Sequence, residues 1–502
     1  MNFVRNLPLF CIILTLFSGP CSMILTAKKA RILNLCVITA VGIMSFLVLL
    51  QVCINGGSYV YTMGHFPAPW GNEIRIGPLE AFMALFFCII MFLSIVGGAT
   101  ERMVEIDESK ENLYYVMVNL LLSSLIALIY TNDLFTAYVF VEINTISACG
   151  MIMIKQSGHT LEAATRYMIM SLLGSGMLLL GICFLYGLTG HLLMSNIKEA
   201  VAAIAAAGTY HAPLMVAVGL MCVGLAIKSA LFPFHSWLPD AYGYSTVSSA
   251  AILSSLVSKG YIFLLIKIFY RVIGFDIICN SKIINIFFVF GIAGMMAGSI
   301  SAAKEFNIRR MIAFSSVAQI GYIYMGFGLG TTLGVLASIY HILSHAATKS
   351  LLFISASGLS ECSGDNKELA KLTGAGYRYP IAGMAFTVGA LSMVGFPLFS
   401  GFISKILFAQ AAVNQADKML PTLIALALST ILNVIYFMRA VLVIYTPRKG
   451  IAAEESGYQR IRMGKDPGKS AVFVCFMLLN LVLGLMSQPI VELCSRGLGM
   501  FG

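Results

Sequence analysis

The chain has 502 residues, of which 59% are hydrophobic and only 11% charged, and its mean hydropathy is +0.89. A water-soluble domain carries about 25% charged residues, so a single core wrapped in an aqueous surface is excluded. The net charge of +10 does not point to nucleic acid, because basic residues of membrane proteins collect in cytoplasmic loops.

Apolar runs of about 20 residues recur along the whole length, each long enough to cross a bilayer as a helix. In chain order the predicted spans are 7–25, 32–54, 76–98, 112–130, 134–154, 166–187, 213–243, 246–272, 283–302, 311–329, 332–357, 380–412, 420–446 and 470–494. The expected fold class is therefore all-α and polytopic, with about fourteen transmembrane helices. The first segment resembles a signal peptide ending near Cys21, but Pro20 disfavours cleavage there, and a retained first span is expected. The twelve cysteines lie mostly singly inside apolar spans (Cys36, Cys88, Cys183, Cys222, Cys475) and read as small apolar fillers. The sequence contains no GxGxxG, Walker, Fe–S or haem motif, so no cofactor and no metal is expected on this chain.

Two spans, 213–243 and 380–412, are too long for one crossing, and both hold an internal proline. They share an F-P-x-x-S pattern, Phe232-Pro233-Phe234-His235-Ser236 and Phe396-Pro397-Leu398-Phe399-Ser400. Paired proline-interrupted spans in the two halves of a transporter point to repeated, broken helices at an ion site. Basic residues set the topology. Nineteen lysines and arginines fall in loops on one side, six of them (Arg448, Lys449, Arg460, Arg462, Lys465, Lys469) in the last loop. Seven fall on the other side, at Arg5, Arg75, Lys198, Arg271, Lys282, Lys418 and Arg496. The bias places both termini outside the cell membrane.

The remaining six basic residues lie inside spans or near their ends. A charge at membrane depth costs roughly 2.5–3.5 kcal/mol even on the lenient insertion scale, and it persists where it faces protein or water. The interior set is Glu142, Lys228, His235, Lys259, His341, His345, Lys349 and Lys405. Lys228 precedes Pro233 by five residues, and a proline leaves carbonyls of the preceding turn without donors, free to hold an ammonium group or water. A Lys228–Glu142 pair of variable separation is a proton-affinity switch, or else a structural salt bridge made with Glu142 or Asp240. His341, His345 and Lys349 follow each other at i, i+4 and i+8 on one helical face. Imidazoles there suit a proton relay, against a packed polar core or a metal site for which no third ligand is visible. Lys259 and Lys405 extend the line. Lys267 and Arg439 are expected to snorkel to an interface. His235 and Asp240 flank the break and stand evenly between relay and repair of freed backbone groups.

The segment AIKSALFPFHSWLPDAYGYSTVSSAAILSSLVSKGYIFLLIKI resembles the core of the antiporter-like, proton-translocating membrane subunits. These include the Mrp-type antiporters, complex I, membrane-bound hydrogenases and formate hydrogenlyases. NIRRMIAFSSVAQIGYIYMGFG, YHILSHAATKSLLFISASG and GFPLFSGFISKILF carry the same resemblance, which covers roughly residues 75–450. It implies fourteen spans with two inverted five-helix repeats, the broken helices lying near Pro233 and Pro397. On that pattern residues 1–111 form the first three helices, 112–272 and 283–446 the repeats, and 447–502 a cytoplasmic loop and last helix. It also implies proton translocation by Glu142, Lys228, Lys259, His341, His345, Lys349 and Lys405, the last as the ion-exit position. A lysine at that position resembles the Mrp D-type and distal complex I versions.

The implied function is a proton- or cation-moving subunit of a multisubunit complex in a bacterial or archaeal plasma membrane. Its partners are the bilayer, other antiporter-like and small membrane subunits, H⁺ with Na⁺ handled elsewhere, and, in the redox-driven case, a hydrogenase-like peripheral arm. The parent complex is expected to be an Mrp-type Na⁺/H⁺ antiporter or a membrane-bound hydrogenase. The alternatives are a complex I subunit and a non-transporting scaffold.

Overall fold

In the computed structural model, residues 2–66, 71–447 and 466–501 are described. The basic residues 448–465 of the last loop, expected to weight the topology, lie outside them. Among the described residues, twelve helices are long and apolar enough to cross a membrane. Two expected spans differ from these. Thr332–Glu361 is one continuous helix whose His and Lys residues lower its hydropathy, and 380–412 is divided into Pro380–Val394 and Ser400–Val413.

Three helices, Val247–Ile273, Ile308–Gly328 and Thr332–Glu361, are buried along nearly their whole length, and more apolar helices surround them. This inverts the soluble pattern: helices rich in polar and charged side chains are central, because lipid cannot solvate those groups. Small residues let the backbones close up. A Cβ on Gly321 would stand 2.5 Å from Met295 N, and one on Gly224 would stand 2.5 Å from Gly174 O. The second contact draws the helix ending at Lys228 against helix Gly158–Thr189.

The two ends of the bundle are distinguishable. On one, strands Tyr59–Thr62 and Glu73–Ile76 form an antiparallel hairpin with Tyr59 opposite Ile76, and Ile74 bridges to Thr131. This end is the hairpin face. On the opposite, loop face, Asn307 bridges to Glu368, and Lys155 pairs with Glu105 at 2.8 Å.

Several boundaries depart from expectation. The last span ends at Leu485, and a separate helix, Ser487–Gly499, follows the turn at Met486. Pro489 lacks an N–H and suits the first turn of a new helix better than the interior of an old one. Gly158–Thr189 begins well before the expected 166, so Arg166 is a helical residue paired with Glu162 at 2.6 Å, and not a loop residue. Arg271, counted as a loop cation, is buried (2% exposed) in an ion pair with Glu80.

Lys267 does not snorkel. It is fully buried and donates to the carbonyls of Leu128 (3.1 Å), Ile129 (2.9 Å) and Thr131, closing the end of helix Glu111–Tyr130. Arg439 behaves alike, donating to Ala303 O (2.8 Å) and Glu305 O (2.7 Å) at the end of helix Ile283–Lys304. In both cases the terminal carbonyls of a helix take donors from the cation.

Candidate proton-conducting line

Helix His211–Lys228 stops at Lys228 itself. The chain then turns through 229–237, with Ala230 at φ +60, and resumes as Leu238–Tyr244. The carbonyls freed by the break do not hold the ammonium group. Leu225 and Ala226 O accept from the backbone N–H of Ser229 and Leu231, and Trp237 Nε1 donates to Ile227 O at 3.3 Å. The Lys228 ammonium instead donates to Thr145 Oγ1 at 2.6 Å, with Glu142 Oε1 at 4.0 Å and the Tyr261 ring centroid at 5.4 Å.

Lys228 is fully buried, while the Glu142 side chain is 25% exposed. Glu142 and Thr145 lie one turn apart on helix Leu134–Met153, which is why one ammonium reaches both. A polar chain leads on from there. Thr145 Oγ1 lies 3.4 Å from Tyr261 OH, Tyr261 OH donates to Asn144 Oδ1 at 3.0 Å, and Asn144 Nδ2 donates to Ser124 Oγ at 2.9 Å.

Tyr261 belongs to the same helix as Lys259. The turn before Lys259 is a π-helical segment, Leu253–Val257, and the buried ammonium donates to Ser254 O within it. π segments expose backbone carbonyls and recur at functional sites. The titratable groups nearest His345 are Lys259, Lys349 and His341. Both ring nitrogens of His345 are buried without a protein partner. Lys349 donates to Ile312 O at 2.9 Å and to Ser315 Oγ. His341 Nδ1 lies 3.0 Å from Ser404 Oγ, and its ring centroid is 6.2 Å from that of His345.

Ser404 precedes Lys405, whose ammonium donates to Val394 O (2.6 Å) and Thr430 Oγ1 (2.9 Å). Val394 ends the first half of the second broken helix. At this break the lysine does take a freed carbonyl, which Lys228 does not. Gly395 at φ +89 permits the approach, since a Cβ there would lie 3.2 Å from Lys405 Nζ. Around the same break, Asn480 Oδ1 accepts from Thr348 (2.7 Å), Ser392 (3.1 Å) and Ser400 (3.3 Å).

The geometry therefore links Glu142 and Lys228 through Thr145 to Tyr261, and it sets Lys259, His345, Lys349, His341 and Lys405 near one another as a second group. It leaves His235 and Asp240 apart. The His235 ring stacks on Phe232 at 5.4 Å. Asp240 pairs with Arg166 (3.2 Å) and Arg310 (3.5 Å), while Arg309 donates to Ser245 O at 2.5 Å. These contacts tie the half-helix Leu238–Tyr244 to its neighbours on the loop face. Sequence reasoning missed the linking hydroxyls. Their only signal was position: Thr145 one turn from Glu142, Tyr261 two residues from Lys259, and Ser404 beside Lys405.

Residues 131–432, more than half of the chain, match the family described as NADH:quinone oxidoreductase/Mrp antiporter, TM. The chain belongs to that family.

Among curated members it is similar to NADH-quinone oxidoreductase subunit N of Desulforudis audaxviator, 29% identical, covering 97% of each chain. It is also similar to the D-type chain of the Na(+)/H(+) antiporter of Alkalihalophilus pseudofirmus, 25% identical over 87% of this chain and 85% of that one. Two solved complexes contain chains of the same fold. One is the Mrp complex from a Dietzia species, with a TM-score of 0.87 and 23% identity over 99% of this chain and 97% of that one. The other is an archaeal membrane-bound sulfane sulfur reductase, with a TM-score of 0.87 and 24% identity over 100% and 98%. The family resemblance read from the sequence is thus met, and the protein is an antiporter-like, multi-pass membrane chain.

Proposed function

We propose that this protein is the ion-translocating subunit of a multisubunit membrane complex, moving protons along Glu142–Lys228–Lys259–His345–Lys349–Lys405 with His341 beside the line. The observation that carries the reading is the Lys228 ammonium, wholly buried and shared between a carboxylate at 4.0 Å and a hydroxyl at 2.6 Å that leads on toward Tyr261. With Glu142 near, the ammonium form is favoured. When Glu142 moves away, that support is lost, and the proton passes by way of Thr145 and Tyr261 toward Lys259. His341 and His345 carry it onward as neutral relays, and Lys405 releases it at the second break.

Fourteen crossings in two inverted repeats, 112–272 and 283–446, fit this scheme. In each proposed repeat the fifth helix sends a cation back onto the carbonyl end of the first, Lys267 in one and Arg439 in the other. The loop face, which carries most of the basic residues, is then cytoplasmic in a plasma membrane. The partly exposed Glu142 calls for a neighbouring subunit to cover it, since a carboxylate facing lipid is costly. Relatives named for NADH-quinone oxidoreductase and for Na⁺/H⁺ antiport leave two parents in view, one redox-driven and one driven by ion gradients. The subunits that co-purify with this chain separate them: a redox-carrying peripheral arm excludes a pure antiporter.

Transport is tested directly with Lys228→Ala and Glu142→Ala. Each abolishes proton translocation in membrane vesicles while the complex still assembles. Normal translocation in either variant overturns the mechanism.

A further inference from the structure

At the hairpin face lies a second set of buried charges that the line does not use. Arg271 sits in a π-helical segment, Ile268–Ile273, and its Nη2 donates to Glu80 Oε1. Their exposures are 2% and 0%. Burying such a pair is costly unless its remaining donors and acceptors are satisfied. Here Glu80 Oε2, Arg271 Nε and Arg271 Nη1 are all buried without a protein partner. Buried polar atoms without a protein partner are the kind that water satisfies. Lys267 lies beside them, eight residues beyond Lys259 on the same helix, a rise of about 12 Å. Arg75, Glu73 and Tyr130 are the other titratable groups facing this cluster.

One side chain closes the site. The Phe501 ring, fully buried, lies 4.0 Å from the Arg271 guanidinium and meets Phe263 (5.7 Å) and Tyr270 (6.4 Å) edge-on. Arg75 anchors this segment by donating to Met500 O at 2.8 Å. Tyr270, which meets the ring, and Leu498, whose carbonyl accepts from the Phe501 N–H at 3.0 Å, border a cavity of about 280 Å³ together with Thr332, Leu336 and Ser495. Phe501 therefore stands among residues that border the cavity, against an unsatisfied, buried ion pair.

We propose that Glu80, Lys267 and Arg271 form a second ionisable site that exchanges protons with the hairpin face through this cavity, and that the Phe501 ring is its seal. With the ring displaced, hydronium from the cavity protonates Glu80 and releases Arg271. The proton leaves again as the carboxylate and its ion pair re-form. With the ring in place, an aromatic constriction keeps water out and blocks leakage past Lys259. The inference rests on the proton-translocating reading for the identity of the ion and for Lys259 as the inner end of the path.

The test uses the intact complex in liposomes loaded with a pH-sensitive dye, with an imposed pH difference and no other driving force. Phe501→Ala raises the passive proton flux about tenfold, Phe501→Leu leaves it near wild type, and Glu80→Gln added to Phe501→Ala restores the low flux. A wild-type flux in an assembled Phe501→Ala complex overturns the proposal, and so does a raised flux that Glu80→Gln does not lower. If Phe501→Ala disperses the complex, Phe501→Val against Phe501→Leu gives the same decision: a higher flux with the smaller side chain supports the seal, and equal fluxes overturn it. Driven transport in Lys228→Ala is a separate measurement, so failure of the seal and failure of the central line are told apart.

Discussion

A single hydroxyl carries much of the mechanism at the residue scale. Thr145 Oγ1 is the closest acceptor to the Lys228 ammonium and its link to Tyr261. Thr145→Val, nearly isosteric, removes the acceptor and lowers proton transport about tenfold, whereas Thr145→Ser keeps it; equal rates in the two variants would remove Thr145 from the path. On the loop face, burial and the neighbouring Arg309 and Lys155 bring the Lys367 ammonium down to about 8. Lys367 also borders a polar cavity of about 410 Å³ with Glu105, Lys155 and Arg309. Its acylation by an amine reagent therefore reaches half its maximum near pH 8, and a midpoint in the ordinary lysine range near 10.4 contradicts this environment. The interior charges were legible in the sequence because each is expensive in an apolar span. The hydroxyls were not, because serine and threonine are cheap and common in membrane helices. Glu80 and Arg271 escaped notice for another reason: both lie near helix ends, where a charge looks solvated, and only the fold shows that the hairpin and residues 500–501 cover them.

At the scale of elements, the two breaks are held differently. The first is repaired by its own backbone and Trp237, which frees Lys228 for Glu142 and Thr145; the second is capped by Lys405 itself. The proline positions revealed that both helices break. They could not reveal which groups satisfy the freed carbonyls, because that depends on neighbouring helices. The same holds for Lys267 and Arg439, which sequence places at interfaces and the fold places on helix ends. Replacing Lys267 by methionine strands three buried carbonyls, at about 1–3 kcal/mol for an unsatisfied group, whereas Arg439→Met strands two partly buried ones. Both variants lower the thermal midpoint of the solubilised complex, Lys267→Met more than Arg439→Met because Lys267 is wholly buried; an unchanged midpoint in Lys267→Met refutes its capping role. The end of the last span at Leu485 was illegible by hydropathy alone, since Ser487–Gly499 continues with apolar residues on one face.

On the scale of the whole molecule, three helices rich in buried polar side chains run through the centre, and the proposed line reaches them from Glu142 and Lys228 on neighbouring helices. The sequence motifs sufficed for the family. The link from Lys228 through Thr145 to Tyr261 was not legible there, because it depends on how helix Leu134–Met153 meets helix Val247–Ile273. The central claim is that Lys228 must give up a proton, and Lys228→Arg tests it most directly. Arginine keeps the positive charge and the pairing with Glu142 but does not deprotonate in proteins. Proton translocation by the assembled Lys228→Arg complex is predicted to fall to the level of Lys228→Ala; translocation near the wild-type rate would show that the lysine only holds a charge in place and would contradict the account.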